Sequence, residues 1–180
     1  MIGENISHYK ILEILGSGGM GIVYKAEDIK LHRTVALKFL PFELTSDETA
    51  KKRFIREAQA ASSLQHNNIC TIHEIDETED GQFFISMDFY EGETLKNKIK
   101  REPLSLDEII KITTQIAEGL NKAHENGIIH RDIKAANIFI TKEGIVKILD
   151  FGLAKKADRS QFTTMGVNLG TTDYMSPEQI

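Results

Sequence analysis

A chain of 180 residues with 41% hydrophobic side chains can build a core as one domain or two small lobes, and 27% charged residues of mixed sign with only 3 prolines do not make a disordered segment. The formal net charge of −5 argues against a surface that coats a phosphate backbone, so nucleic acid is not an expected partner. The lone cysteine, Cys70, has no internal disulfide partner, residues 1–10 lack the apolar stretch of a secretion signal, and no run of about 18 apolar residues occurs; the expectation is a cytoplasmic chain with no membrane segment, apart from any anchor beyond residue 180.

In chain order, Tyr9 to Leu15, Ile22 to Glu27 and Thr34 to Leu40 read as three antiparallel strands, the first turn being Gly16-Ser17-Gly18-Gly19. Thr45 with Glu48 forms a capping box, and Ala50, Phe54, Ala58, Ala61 and Leu64 recur at helical spacing, which predicts a helix of about five turns. Ile69 to Asp76 and Gln82 to Met87 read as two further strands around Asp80-Gly81, completing a first lobe of five strands and one helix.

After Tyr90-Glu91-Gly92 the pattern turns helical. Ser105 with Glu108 is a second capping box, Ile109, Ile112, Ile116, Leu120 and Ala123 share a face, and Gly127 is placed as the C-cap. The apolar runs Ile138 to Thr141 and Ile145 to Leu149 read as a hairpin turning at Lys142-Glu143-Gly144, and residues 150–178 read as a long loop. Strands followed by helices make the fold class α+β.

Three constellations carry chemistry. Gly16, Gly18 and Gly21 are spaced G-x-G-x-x-G between two strands, where backbone without side chains lies close over phosphate oxygens; the same spacing also suits a glycine-rich hairpin with no ligand. The strand that follows argues against the dinucleotide fingerprint, which opens a helix. Lys38 interrupts the apolar run Val35-Ala36-Leu37-Lys38-Phe39-Leu40, either snorkelling to water or pairing with a carboxylate such as Glu57 on the next helix and reaching a nucleotide phosphate. The loop His130-Arg131-Asp132-Ile133-Lys134-Ala135-Ala136-Asn137 concentrates polar groups between apolar runs. Asn137 and Asp150 stand six residues before and seven after Glu143, so the hairpin brings both to its open end, as strand caps or as hard oxygen ligands for magnesium.

Together with Asp150-Phe151-Gly152 and Ser176-Pro177-Glu178, these segments in this order resemble the eukaryotic-type serine/threonine protein kinase family, and bacterial members of it in the wording of the glycine loop. The resemblance runs from about residue 9 to the end. It implies a two-lobed kinase-like fold with an antiparallel five-stranded N-lobe over 9–90 and the first part of a mainly helical, incomplete C-lobe over 91–180, the whole of 1–180 being a partial kinase domain. It also implies ATP as the nucleotide, with Mg2+ or Mn2+ as the metal, and proteins bearing serine or threonine hydroxyls as substrates.

The resemblance implies residue roles as well. The loop from Leu15 and Gly16 through Ser17, Gly18, Gly19 and Met20 to Gly21, Ile22 and Val23 would cover the nucleotide. Lys38, held by Glu57, would contact the α and β phosphates, and Asn137 and Asp150 would hold the metal. Asp132 would accept or orient the proton of the attacking hydroxyl, with Lys134 steadying the transferred phosphoryl. Val23, Ala36 and Phe139 would sandwich adenine, with Met87 behind it and Asp88 to Tyr90 as the hinge. Lys134 with Thr171 resembles the serine/threonine branch rather than the tyrosine branch. Arg131 would receive a phosphate on Thr163 or Thr164.

The departures are Ser176 in place of an alanine, Met20 at the loop tip, Asn67 where a proline is common, and the absence of the family's further helices, which leaves the 109–123 helix face to water and implies poor solubility. The alternative is an ATP-binding or scaffolding module without transfer. Lys38, Asp132, Asn137 and Asp150, whose loss marks that state, are all present.

Overall fold

In the computed structural model, residues 1–18, 21–41, 48–151 and 174 are described. The described chain divides into two compact units, one of Met1–Ser62 with Thr71–Tyr90, the other of Ser63–Cys70 with the chain from Glu91 onward.

The first unit is built on strands β1 (Asn5–Ile6), β2 (Tyr9–Gly18), β3 (Gly21–Asp28) and β4 (Arg33–Phe39), helix α1 (Glu48–Ser62), and strands β5 (Ile72–Glu77) and β6 (Phe83–Asp88). All pairings are antiparallel, in the order β1-β2-β3-β4-β6-β5. The five expected strands are present, and the two-residue β1 extends one edge, too short to leave an alternating pattern. The expected strand from Ile69 begins only at Ile72, because Ile69 and Cys70 pair instead with the backbone of Ile148 in the second unit. Thr45, the expected cap of α1, lies outside the described residues.

Period-two alternation divides the sheet into two faces. One buries Tyr9, Ile11, Tyr24, Ala26, Val35, Leu37, Phe39 and Phe84 as a single cluster. Its rings meet edge-on or stacked, Tyr24 against Phe39 at 5.5 Å, Phe39 against Phe84 at 5.4 Å and Tyr9 against Phe84 at 6.0 Å. Such pairs add about 0.5–1.5 kcal/mol each beyond area burial. The turn from β3 to β4 closes on the buried carboxylate of Asp28, which accepts from the N–H groups of Lys30 at 3.1 Å and Leu31 at 3.0 Å and from Arg33 Nε at 3.4 Å. Burial opposes ionisation of Asp28, but these donors outweigh it and hold the carboxyl below its ordinary range.

The second unit contains β7 (Gly92–Thr94), α2 (Leu95–Arg101), α3 (Leu106–Glu125), a 3-10 turn (Ala135–Asn137), β8 (Ile138–Thr141) and β9 (Val146–Ile148), with sheet order β7-β8-β9. The capping box is present: Ser105 Oγ accepts from the Glu108 N–H at 3.3 Å, and Glu108 Oε2 accepts from the Ser105 N–H at 3.0 Å. At the other end Asn126 is the cap and Gly127 the residue after it, in the left-handed region at φ 71°. Ile128 N–H then bonds to the Ala123 carbonyl and Gly127 N–H to that of His124, each at 2.9 Å, the Schellman pattern.

α3 locks the Ser63–Cys70 segment to the second sheet. Gln115 Oε1 accepts from Asn68 Nδ2 at 3.0 Å and from the Val146 N–H at 2.9 Å, and Asn68 Nδ2 also reaches the Val146 carbonyl. Gly119 makes the approach possible, since a Cβ there would stand 2.8 Å from Ile148 Cδ1 and 3.2 Å from the Asn68 carbonyl oxygen. Of the apolar face expected on α3, Ile112 and Ala123 are buried and Ile116 and Leu120 half-buried, while Ile109 is exposed, as is neighbouring Ile110. Among the described residues no helix is long and apolar enough to cross a membrane.

Candidate active site

Strand register assembles the first unit's contribution. Directly opposed residues of antiparallel strands share a face. The pairs Gly16↔Val23, Val23↔Lys38 and Lys38↔Ile85 form one row across β2, β3, β4 and β6, and Lys25↔Ala36 with Ala36↔Met87 form the adjacent row. Val23, Ala36, Lys38 and Met87 therefore lie together on the face opposite the aromatic core.

Lys38 is only 5% exposed, which excludes the snorkelling alternative, and a buried ammonium requires an anionic partner. Glu57, half-buried on α1, stands three residues after buried Phe54 and one before buried Ala58, so it lies on the inward side of the helix. Leu15 and Ile22 are exposed, as are Gly16, Ser17 and Gly18; Gly19 and Met20 lie outside the described residues.

The glycines of the loop differ in what holds them. At Gly21, φ is 107° and a Cβ would collide with the Phe39 carbonyl oxygen, so the fold itself demands glycine. At Gly16 and Gly18 an added Cβ meets nothing within 4 Å, so neither packing nor backbone conformation explains them. The bare backbone at these two positions leaves room for a ligand to approach.

The end of β6 is tied down by side chains. Asp88 accepts from His73 Nε2 at 2.9 Å and from the Tyr90 hydroxyl at 2.9 Å, and Lys25 Nζ lies 4.9 Å from the centre of the Phe89 ring. His73 was not among the expected site residues. Its strand, Ile72–Glu77, also carries Glu74, Asp76 and Glu77, so no local pattern in the sequence singles His73 out.

In the second unit the polar loop is organised around Asp132, 6% exposed. Asn137 Nδ2 donates to the Asp132 carbonyl at 2.9 Å and to its Oδ2 at 3.0 Å, and Lys134 Nζ lies 2.7 Å from the same Oδ2. Because both partners of the Asn137 amide nitrogen are acceptors, the amide oxygen is directed away from Asp132. The Asn137 carbonyl accepts from the Leu149 N–H at 2.9 Å, which sets Asn137 beside the residue preceding Asp150 at the open end of the β8–β9 hairpin. Phe139 is half-buried on β8, opposite Thr94 on one side and Lys147 on the other.

His130 is the pivot of the loop. It is 1% exposed, its Nε2 meets the Leu149 carbonyl at 2.8 Å, and its Nδ1 accepts from the Asp132 N–H at 3.2 Å. A carbonyl only accepts and an N–H only donates, so the proton sits on Nε2 of a neutral ring. Burial pushes the His130 imidazole below its ordinary value, which agrees with that tautomer. The Phe151 ring packs 4.7 Å from it. In the sequence His130 stands only as one polar residue of the loop, with no signal of a role of its own.

Arg131 at φ 64° and Asp150 at φ 57° both adopt the left-handed conformation, costly for residues with a Cβ and characteristic of sites where geometry is held by function. Thr163, Thr164 and Thr171 lie outside the described residues. Among the described residues no cluster of three His, Cys, Asp or Glu side chains is assembled for a metal. Asn137 and Asp150 instead offer an amide oxygen and a carboxylate, a hard donor pair that fits Mg2+ when phosphate oxygens complete its coordination.

Residues 9–180 match the family model described as protein kinase domain. Across 99% of its length the chain is 45% identical to serine/threonine-protein kinase PrkC of Bacillus subtilis, of which it covers 28%, and 39% identical to serine/threonine-protein kinase pkn3 of Myxococcus xanthus, of which it covers 34%. The chain thus spans about a third or less of these relatives. The crystal structure of the PknI kinase domain of M. tuberculosis matches 86% of this chain with a TM-score of 0.78 at 32% identity, the match covering 62% of that domain's chain.

Proposed function

This chain belongs to the protein kinase domain family, and on that premise we propose that it transfers the γ-phosphoryl group of Mg-ATP to serine or threonine hydroxyls of protein substrates in the cytoplasm. The observation that carries the reading is the Asp132 carboxylate, buried and held at one oxygen by both Asn137 and Lys134. A carboxylate fixed in this way accepts or orients the proton of an incoming hydroxyl.

The residues divide the work by their chemistry. Gly16 and Gly18 bring bare backbone over the phosphates, and Lys38, braced by Glu57, supplies positive charge to the α and β phosphates. In the first unit Val23 and Ala36 would pack on adenine, with Met87 behind it and the backbone of Asp88 to Tyr90 at its edge, and in the second unit Phe139 is the residue assigned to adenine. Asn137 and Asp150 would hold magnesium, which would supply positive charge to the phosphates. Lys134 stabilises charge on the phosphoryl during transfer. Catalysis here is positioning plus electrostatics, with no covalent intermediate on the protein.

Phosphoamino-acid analysis after incubation with labelled Mg-ATP and a mixed protein substrate tests the assignment. Label on serine or threonine is expected. Label confined to tyrosine, or none at all, would overturn it.

A further inference from the structure

We propose that His73 is a positioning residue for the nucleotide, fixing through the Asp88 carboxylate the 88–90 backbone that receives adenine. The inference rests on the kinase reading and adds to it a residue outside the expected site.

The ladder between β5 and β6 pairs Ile72 with Met87 and then Glu74 with Ser86, so its register shifts at His73. A residue at such a bulge has no direct cross-strand partner, and its side chain is re-aimed from the regular alternation. Here the ring reaches the last residue of β6, with Nε2 2.9 Å from Asp88 Oδ1. An ionised carboxylate only accepts, so Nε2 carries the proton. The Tyr90 hydroxyl donates to the other oxygen, Oδ2, at 2.9 Å, and the Asp88 N–H donates to the Thr71 carbonyl at 3.0 Å.

Between these two anchored residues Phe89 lies under Lys25, which is itself paired with Glu13 at 3.1 Å. All three side chains from 88 to 90 are therefore held, Asp88 from β5 and Phe89 from β3. Each Asp88 carboxylate oxygen already accepts a hydrogen bond, so the segment meets a nucleotide with its backbone, which leaves the β4 ladder at Val35↔Asp88 and is braced there by the His73 contact. A ligand that finds its partner groups already oriented loses less entropy on binding. His73 is half-buried, 16% exposed at its side chain and outside the buried core, and leucine and glutamine fill a similar volume there.

The test measures kcat and KM for Mg-ATP, and affinity for magnesium tripolyphosphate, which has no adenine, in the wild-type protein, His73→Leu, His73→Gln and the control Lys51→Ala. The control removes an ion pair to Glu77 of 3.0 Å in the same unit, away from the 88–90 segment. His73→Leu is expected to raise the KM for ATP about five- to tenfold, the effect of one lost charge-assisted hydrogen bond, with kcat and tripolyphosphate affinity unchanged. His73→Gln, which keeps a donor, is expected to return KM close to wild type, and Lys51→Ala to leave it unchanged.

Wild-type affinity for ATP in His73→Leu, or equal losses in all three variants, would overturn the role of His73 while leaving the kinase reading intact. Failure of the wild-type protein to bind Mg-ATP would overturn that reading and the inference with it.

Discussion

The side-chain amide of Asn137 binds Asp132 twice, at the main-chain carbonyl (2.9 Å) and at the carboxylate (3.0 Å), so one residue sets both the backbone and the side chain of the group assigned to the proton. Asn137→Ala removes both bonds in a site 5% exposed, where a hydrogen bond to a charged group is worth about 1.5–3 kcal/mol. The expected outcome is a loss of at least about a hundredfold in kcat, since the oxygen proposed for the metal is removed together with the Asp132 support. Steady-state kinetics at saturating Mg-ATP check this, and a kcat within a few-fold of wild type would refute the arrangement.

Gly16 and Gly18 separate binding from folding. Because a Cβ at either position meets no protein atom within 4 Å, Gly16→Ala and Gly18→Ala are expected to leave the thermal midpoint within about a degree of wild type. Each is expected to raise the KM for ATP about tenfold by holding the backbone off the phosphates. A lower midpoint with unchanged KM would mean that these glycines serve the fold and not the ligand.

Gly119 presents the opposite case. Alanine improves helix propensity by about 1 kcal/mol. Against that, its Cβ would come within 2.8 Å of Cδ1 of the fully buried Ile148 and 3.2 Å of the Asn68 carbonyl oxygen, so side chain and backbone would both have to give. Overpacking costs about 1–3 kcal/mol, so Gly119→Ala is expected to be net destabilising by about 1 kcal/mol in denaturant unfolding. A stabilised variant would show that Ile148 and Asn68 yield to the added Cβ at little cost.

His130 gives a pH dependence with a definite sign. Burial lowers its folded-state value below the unfolded value of about 6.5, so the unfolded chain takes up the proton first. Its contribution to stability is complete above about pH 6.5 and is lost as the pH falls through the lower folded value. The difference in thermal midpoint between wild type and His130→Gln, measured from pH 8 to pH 5, is expected to shrink towards the acid end. A difference that grows with acidity would show that the ring is charged in the folded state.

Much of this was legible in the residues, for physical reasons that differ by element. The apolar strand around Lys38 and the caps at Ser105 and Gly127 are local signals, and the structure places them as the pattern implies, with Gly127 one position past the cap. Burial of Lys38 was not legible, because period two assigns it a face without saying whether that face is covered. The three-residue β7 and seven-residue α2 are too short to show a period and exist through neighbours, β7 by pairing with β8 and α2 by the Thr94 cap. The strand expected from Ile69 starts three residues later, at Ile72, because Ile69 pairs with Ile148, a contact between residues far apart in sequence that no local rule supplies. The tautomer of His130 and the reach of His73 depend on single distances between elements, which spacing along the chain does not encode.

The central claim is that this chain moves a phosphoryl group with Asp132 managing the proton. The most direct measurement is the initial rate of label transfer from Mg-ATP to a protein substrate by the wild-type protein and by Asp132→Asn, with nucleotide affinity measured in parallel. The expected result is transfer by the wild type, a fall of at least about a hundredfold in the variant, and similar affinity for Mg-ATP in both. Equal transfer rates in the two proteins, or a wild type that binds Mg-ATP and transfers nothing, would contradict it.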